Sequence, residues 1–201
     1  MSEHYYPPNP QSKHKPAQVA FDYRGTRLCY ATDSGVFSRL ELDRGTEVLL
    51  SALPEELSGD VLDMGCGYGA LGVSVAAVCP RCRLTMADVN ERAVELAAEN
   101  AKANGVSAET LQSDGYAALT GRSFDCILQN PPIRAGKQVI YQMFADGARA
   151  LRPDSALYLV IRKQQGAPSA IRYLQTLFGR VDEIEKKSGY WIIRCMQRKE
   201  A

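Results

Sequence analysis

Histidine is scarce in this chain of 201 residues, which has only two, His4 and His14. Tryptophan occurs once. A structural zinc site takes four ligands, usually cysteine and histidine. The two histidines lie in a polar N-terminal stretch, and Cys79 and Cys82 form a lone Cys-x-x-Cys pair. We therefore predict no metal site, and ordinary packing or surface placement for this pair. The histidines carry no catalytic signal.

Long apolar runs are also missing, since no stretch approaches the 18 residues typical of a membrane-spanning helix. The start, MSEHYYPPNPQSKHK, lacks the apolar core of a signal peptide. We expect a cytoplasmic protein that is not attached to a membrane and whose six cysteines are reduced. With 45% hydrophobic and 23% charged residues, the composition excludes fibrous, disordered and disulfide-dependent proteins.

Net charge is almost absent, at +1, which alone disfavours a strongly basic nucleic-acid-binding protein. The charge is nevertheless unevenly distributed. Residues 1–130 carry 11 basic and 17 acidic side chains, whereas residues 131–201 carry 13 basic and 6 acidic ones. The basic C-terminal third could face phosphates, and a solvated surface explains the excess about equally well.

The order of apolar patterns predicts an α/β fold with a doubly wound sheet. Residues 1–17 are polar and are predicted to form an extended arm, followed by one domain over 18–201. That domain divides into an N-terminal β-hairpin and helix (18–57) and a Rossmann-like core (58–201). In the core, strand and helix signals alternate about every 25 to 30 residues, as parallel strands with helical crossovers require.

Individual elements follow from apolar spacing, capping residues and breakers. The predicted helices cover Arg44–Leu53, Ala70–Val78, a segment between the cap Asn90 and Gly105, Val139–Leu151 and Ile171–Phe178. The predicted strands cover a hairpin around Arg24-Gly25, GDVLDMG, RLTMADV, Ala108–Gln112, Phe124–Gln129, ALYLVI, Val181–Glu185 and Tyr190–Met196. The last two flank a turn at Lys187-Ser188-Gly189 and predict an antiparallel end of the sheet.

A glycine loop, Asp63-Met64-Gly65-Cys66-Gly67-Tyr68-Gly69, lies between a predicted buried strand and a helix. Glycines let the backbone approach a ligand closely, and the helix N-terminus presents free N–H groups. With Ala70 the loop also satisfies the G-x-G-x-x-A pattern of dinucleotide-binding proteins. The glycines alone therefore do not separate NAD from other adenosine cofactors.

Three acidic residues stand at the ends of successive predicted strands, where ligands of open α/β sheets bind. Asp88 follows the glycine loop by about 20 residues and can accept both ribose hydroxyls of an adenosine ligand. Asp63 would repel a pyrophosphate but favour an ammonium or sulfonium group. Asp114 can accept a hydrogen bond from an adenine amino group.

The segment Asn130-Pro131-Pro132-Ile133 ends another predicted strand. Two consecutive prolines stiffen the chain and cannot continue a strand. The Asn130 amide oxygen and a proline carbonyl held at this corner make two neutral acceptors. Such a pair suits a planar amino group whose nitrogen must be oriented towards an electrophile.

These motifs, DMGCGYG, ADVN, QSDG and NPPI in this order, resemble those of class I S-adenosylmethionine-dependent methyltransferases. The fuller runs GVFSRLELDRGTEVLL, VLDMGCGYGALGVSVA and NPPIRAGK resemble the RsmC-like ribosomal RNA guanine-N2 methyltransferases, here over about residues 20–200. The resemblance implies a seven-stranded, mostly parallel sheet with an antiparallel last strand. It also implies S-adenosyl-L-methionine as cofactor and methyl transfer to an exocyclic amine.

The resemblance implies roles for individual residues. Gly65 and Gly67 would lie against the methionine part of the cofactor and Asp63 near its amino group, with Asp88 on the ribose and Asp114 on the adenine. The remaining residues expected to line the cofactor site are Phe37, which would help close it, Cys66, Val89, Gly115 and Asn130. The catalytic corner would comprise Asn130, Pro131 and Pro132, and the substrate-binding residues would be Ile133, Arg134 and Lys137. Arg162 and Lys163 could hold RNA phosphates.

Our first hypothesis is therefore methylation of guanine N2 in small-subunit ribosomal RNA, with the RNA or the small ribosomal subunit as partner. Adenine N6 and the amide of a protein glutamine are alternative planar acceptors. A remote alternative is an NAD(P)-dependent oxidoreductase. Members with an additional methyltransferase-like domain differ from this chain, in which about 60 residues precede the glycine loop. Ile133 stands where many amino methyltransferases have an aromatic residue that stacks on the base.

Overall fold

The structure is a computed structural model that describes residues 12–199, so most of the predicted N-terminal arm lies outside the described residues. Residues 12–16 form neither helix nor strand. The strands are β1 Ala17–Tyr23, β2 Thr26–Thr32, β3 Gly59–Met64, β4 Cys82–Asp88, β5 Ala108–Gln112, β6 Phe124–Gln129, β7 Leu151–Arg162, β8 Phe178–Lys187 and β9 Tyr190–Arg198. The helices are α1 Arg44–Ala52, α2 Ala70–Val78, α3 Glu91–Ala103, α4 Lys137–Ala150 and α5 Ala167–Leu177.

Seven strands form one sheet in the order β5-β4-β3-β6-β7-β9-β8. Strands β3 to β7 pair in parallel, and β9 is antiparallel to both of its neighbours, β7 and β8. The predicted seven-stranded sheet with a reversed last strand is therefore confirmed, as is the hairpin of β1 and β2. Within residues 12–199, no helix is both long and apolar enough to cross a membrane.

Alternating side chains of the central strands fill two cores, one on each face of the sheet. Val61 in β3 belongs to the core formed with the hairpin, α1, α2 and α3. Its neighbour Leu62 points to the core formed with α4 and α5, where Phe144 and Leu174 are fully buried. Because a strand has a two-residue period, Asp63 shares the face of Val61 and lies beneath α2.

Helices α4 and α5 differ from the sequence-based prediction at both of their ends. Helix α4 begins at Lys137 and ends at Ala150, and α5 begins at Ala167 and ends at Leu177. Proline is tolerated in the first turn of a helix because that turn has no intrahelical N–H bonds to lose. Pro168 can therefore occupy the first turn of α5, which the prediction did not include. The residues after both helices begin strands directly.

Asn100 of α3 and Asn104, the C-cap of this helix, bind the free edge of β2 as a neighbouring strand would. Asn100 accepts from Ala31 N at 2.7 Å and donates to Ala31 O at 2.9 Å and Tyr68 O at 2.8 Å. Asn104, one helical turn later, makes the same pair of bonds with the backbone of Cys29. The hairpin is therefore attached to the helix, and through Tyr68 to the glycine loop, by side-chain amides.

We expect Asn100→Ala to lower the free energy of unfolding by about 1–3 kcal/mol, because it leaves backbone groups of Ala31 and Tyr68 without partners. Urea denaturation monitored by circular dichroism measures this change. Glu99→Ala, at an exposed position of the same helix, is the control and should shift stability by less than about 0.5 kcal/mol. Equal effects of the two changes would refute the role of Asn100.

Candidate active site

A cleft of about 1380 Å³ opens at the carboxyl ends of the parallel strands. It brings together the glycine loop, the ends of β4, β5 and β6, and the loop before α1. The predicted site residues that line it are Phe37, Asp63, Gly65, Cys66, Gly67, Asp88, Val89, Asp114, Gly115, Asn130, Pro131, Pro132, Ile133, Arg134 and Arg162. Lys137 and Lys163 are not among its lining residues, although each lies between two segments that are.

The glycine loop turns sharply from β3 into α2 and leaves open space on its cleft side. Gly65 has a φ of 75° and Gly67 a φ of 54°, a region that L side chains rarely adopt. A Cβ atom at either position would meet nothing within 4 Å. The backbone N–H groups of Gly65 and Cys66 donate to Ala87 O, which ties the loop to β4. The loop can therefore hold a ligand against bare backbone.

Asp88 links the glycine loop to the start of α3. Its two carboxylate oxygens accept from Gly67 N and Asn90 N, each at 2.9 Å. Burial raises the pKa of Asp88, although these backbone hydrogen bonds oppose the shift. The carboxylate is thus both a structural brace of the loop and an acceptor on the cleft wall.

Asp63 is almost fully buried at the end of β3, and its Oδ2 accepts from Gly72 N in α2 at 2.8 Å. Burial raises the pKa of Asp63 to about 7, and the nearby charge of Asp88 adds to the shift. A positive charge in the cleft would favour the ionised form of both carboxylates. These two carboxylates, together with the open glycine loop, fit S-adenosylmethionine, which carries an ammonium and a sulfonium group.

Asp114 and Phe37 also line the cleft. Asp114 is exposed after β5, where Ser113 N donates to Asp88 O. Phe37 is 42% exposed in the loop between β2 and α1. This loop is attached to the cofactor side of the cleft, since Asn90 Nδ2 donates to Gly35 O at 2.7 Å.

Asn130 follows β6, and its side-chain nitrogen is held by the N-terminus of α1. Nδ2 donates to Asp43 Oδ2 at 2.8 Å and to Thr46 Oγ1 at 3.0 Å. A carboxylate has no hydrogen to donate when ionised, so the NH2 side of the amide must face Asp43. Among the residues described, none donates to Asn130 Oδ1 or to the Pro131 carbonyl. The corner therefore offers two acceptors on the wall of the cleft.

Sequence reasoning missed the partners of Asn130. Asp43 and Thr46 line the cleft with Tyr190, which begins β9. Asp43 stands in the quoted run GVFSRLELDRGTEVLL, where an aspartate before a predicted helix signals an N-cap. That signal identifies a helix start but gives no reason to place it beside residue 130.

Four basic side chains lie near the cleft. Arg134, Lys137, Arg162 and Lys163 are exposed, and none forms an ion pair with any residue between 12 and 199. The Arg162 guanidinium lies 4.8 Å from the centre of the Tyr190 ring. At the opposite edge of the sheet, Arg152 is paired with two aspartates.

The cysteines have no part in this cleft apart from Cys66. Cys79 is buried, Cys82 is half-buried, and all six thiols are free. Burial raises the pKa of Cys82 to about 11, which lowers its fraction of reactive thiolate. Over the described part of the chain, no group of three histidine, cysteine or acidic side chains is placed to hold a metal ion.

Comparison with known proteins identifies the family. The family described as methyltransferase small domain matches residues 27–194. The chain is 44% identical over 198 residues to the uncharacterized protein YbxB of Bacillus subtilis, covering 97% of this chain and 98% of that one. It is also 44% identical over 117 residues to ribosomal RNA small subunit methyltransferase C of Escherichia coli, covering 58% of this chain but only 34% of that protein.

A solved structure shares the fold over nearly the whole chain. The 16S rRNA N2 methyltransferase RsmC of T. thermophilus, in complex with AdoMet and guanosine, matches with a TM-score of 0.83 and 26% identity. The match covers 94% of this chain and 52% of that one, so this chain spans about half of that relative. The family match also decides between the two cofactors that the glycine pattern left open. The chain belongs to the methyltransferase small domain family and is a class I S-adenosylmethionine-dependent methyltransferase of the RsmC-like kind.

Proposed function

We propose that this enzyme methylates an exocyclic amino group, and specifically guanine N2 of small-subunit ribosomal RNA. The orientation of Asn130 supports this proposal most directly. Because both Asp43 and Thr46 accept from its Nδ2, the amide offers the substrate only its oxygen. An acceptor of this kind selects a group that donates hydrogen bonds, and an exocyclic amine donates two.

Two relatives support guanine in ribosomal RNA over the other planar amines. One is named for the small-subunit ribosomal RNA, and the other is an N2 methyltransferase of 16S rRNA bound to guanosine. Both are longer than this chain, which covers 34% and 52% of their lengths.

The residues of the cleft would act mainly by positioning. Bound S-adenosylmethionine supplies an electrophilic methyl group. Asn130 Oδ1 and the Pro131 carbonyl would hold the two amine hydrogens, which aims the nitrogen lone pair at that methyl group. Transfer of that methyl group from the sulfonium to the nitrogen would place developing positive charge on the amine. The two acceptors would stabilise this charge until one proton leaves to solvent.

The target amine lies at the edge of a base, so the base must leave its stack to enter the cleft. Ile133 is half-buried and packs against the core that includes α4 and α5, so it supplies an apolar wall and no aromatic ring. Arg134, Lys137, Arg162 and Lys163 would hold the phosphates on either side of the extruded base.

Methyl transfer to a panel of acceptors tests the proposed function. Labelled S-adenosylmethionine is incubated with the full-length protein and naked small-subunit rRNA, assembled small subunits, DNA or total protein, and labelled nucleosides are then identified. We expect N2-methylguanosine from one of the two RNA samples. Label only in N6-methyladenosine or in protein glutamine would assign the enzyme to one of the alternative acceptors.

We predict that the double change Arg162→Gln and Lys163→Gln weakens RNA binding and reduces its salt dependence. Each phosphate contact adds about 0.7–0.9 to the slope of log affinity against log salt concentration. The double variant should therefore lose about 1.5 from the slope, measured by fluorescence anisotropy with a labelled rRNA fragment.

The control removes the same charge at the opposite edge of the sheet. Arg81 and Arg83 are exposed at the start of β4, with side-chain exposures of 70% and 72%. The double change Arg81→Gln and Arg83→Gln should alter the slope of log affinity against log salt concentration by less than about 0.3. If both pairs change the slope equally, RNA is held by overall charge and not by the rim of the cleft.

A further inference from the structure

The N-terminus of α1 is built to hold a side chain that is distant in sequence. Asp43 is the N-cap of this helix, and its Oδ2 accepts from Thr46 N at 2.8 Å. The same oxygen accepts from Asn130 Nδ2. One carboxylate oxygen therefore starts the helix and anchors the amide at the catalytic corner.

Thr46, three residues after Asp43 in the first turn of α1, supplies the second anchor. It is buried, and its Oγ1 lies 3.0 Å from Asn130 Nδ2. The two acceptors together use both hydrogens of the Asn130 NH2 group. An amide held at only one hydrogen could turn about its terminal bond and present nitrogen in place of oxygen.

Gly45 makes room for this arrangement. A Cβ atom at this position would lie 2.9 Å from Asp43 Oδ2 and 3.1 Å from Cε1 of Tyr190. Both distances are shorter than normal carbon contacts, so a larger residue would displace the carboxylate, the tyrosine ring or both. The sequence Asp43-Arg44-Gly45-Thr46 is thus suited to bring a carboxylate, a hydroxyl and an aromatic wall to one point of the cleft.

We propose that Asp43, assisted by Thr46, is a positioning residue for methyl transfer that keeps the Asn130 amide oxygen directed at the acceptor amine. This inference rests on the proposed function, because it assigns Asn130 the task of binding that amine. Asp43 acts through Asn130 and needs no contact with cofactor or substrate. The N-terminal segment 18–57 thereby becomes part of the catalytic apparatus.

Asp43→Ser separates helix capping from positioning. Serine is as good an N-cap as aspartate, but its hydroxyl is one bond shorter and does not reach Asn130. We expect kcat to fall 10- to 100-fold, with KM for RNA, Kd for S-adenosylmethionine and Tm nearly unchanged. Asp43→Asn retains an oxygen that can accept from both Thr46 N and Asn130, and it should restore kcat to within fivefold of the unsubstituted enzyme. Thr46→Val, which removes one anchor at constant volume, should lower kcat by three- to tenfold.

A spectroscopic measurement tests the contact without any substrate. The side-chain NH2 resonances of Asn130 are assigned by their loss in Asn130→Ala. In the unsubstituted protein, we expect slow hydrogen exchange at both protons, and in Asp43→Ser we expect exchange at least tenfold faster. Unchanged exchange, or a kcat within twofold of the unsubstituted value in Asp43→Ser, would overturn the proposal.

The outcomes also distinguish this inference from the proposed function. If the unsubstituted enzyme methylates no exocyclic amine, the proposed function fails whatever the variants do. If it does methylate one and Asp43→Ser is equally active, only the positioning role fails. A loss of activity accompanied by a matching loss of Tm or cofactor affinity would show that Asp43 has a purely structural role, and it would also overturn the proposal.

Discussion

Replacing Asn130 by alanine is expected to reduce the rate of methyl transfer by about a hundred- to a thousandfold, with little change in S-adenosylmethionine binding. Losing one preorganised group that stabilises developing charge costs about this much in other enzymes. The amide oxygen is the acceptor left over after Nδ2 has bonded to Asp43 and Thr46. Alanine removes it and leaves the proline corner in place.

Single-turnover methyl transfer measures the rate, and isothermal titration calorimetry measures cofactor affinity. Gln138→Ala is the matched control, because it removes an amide from an exposed position on the lining of the same cleft. We expect this variant to stay within about threefold of the unsubstituted rate. A retained rate in Asn130→Ala would exclude the proposed role of the amide.

Replacing Asp88 by alanine is expected to weaken S-adenosylmethionine binding by about a hundredfold. The change removes the acceptor that we propose for the ribose and also the bonds to Gly67 N and Asn90 N that brace the loop. Each hydrogen bond to a charged group contributes about 1.5–3 kcal/mol, and 2.7 kcal/mol corresponds to about a hundredfold in affinity. The same loss applies to the product S-adenosylhomocysteine.

Calorimetric titration with both compounds measures this effect. Asp114→Ala removes an exposed carboxylate from the same cleft and is the control. Because a solvated acceptor is readily replaced by water, we expect less than about a tenfold loss at this position. Equal losses of cofactor affinity at Asp88 and Asp114 would show that the bonds of Asp88 to the glycine loop add nothing to cofactor binding.

Most of the sheet could be predicted from local patterns. The predicted strands at Ala108–Gln112 and Phe124–Gln129 coincide with β5 and β6, because apolar runs between breakers depend on near neighbours. The strand predicted as ALYLVI is longer, covering Leu151–Arg162 as β7. Its first residues include Pro153, which the pattern treats only as the end of the preceding helix.

The sequence by itself determined which residues of the parallel strands lie at the cleft. Asp63 and Asp88 lie at the ends of predicted parallel strands and Asn130 directly follows one, and the carboxyl ends of such strands lie at one edge of the sheet. Strand order in the chain therefore places these side chains together whatever the details of packing. Only the tertiary structure decided what the Asn130 amide can do. Its two anchors lie 87 and 84 residues earlier in the chain, and contacts over such separations leave no periodic pattern, because they depend on how α1 packs against β7 and β9.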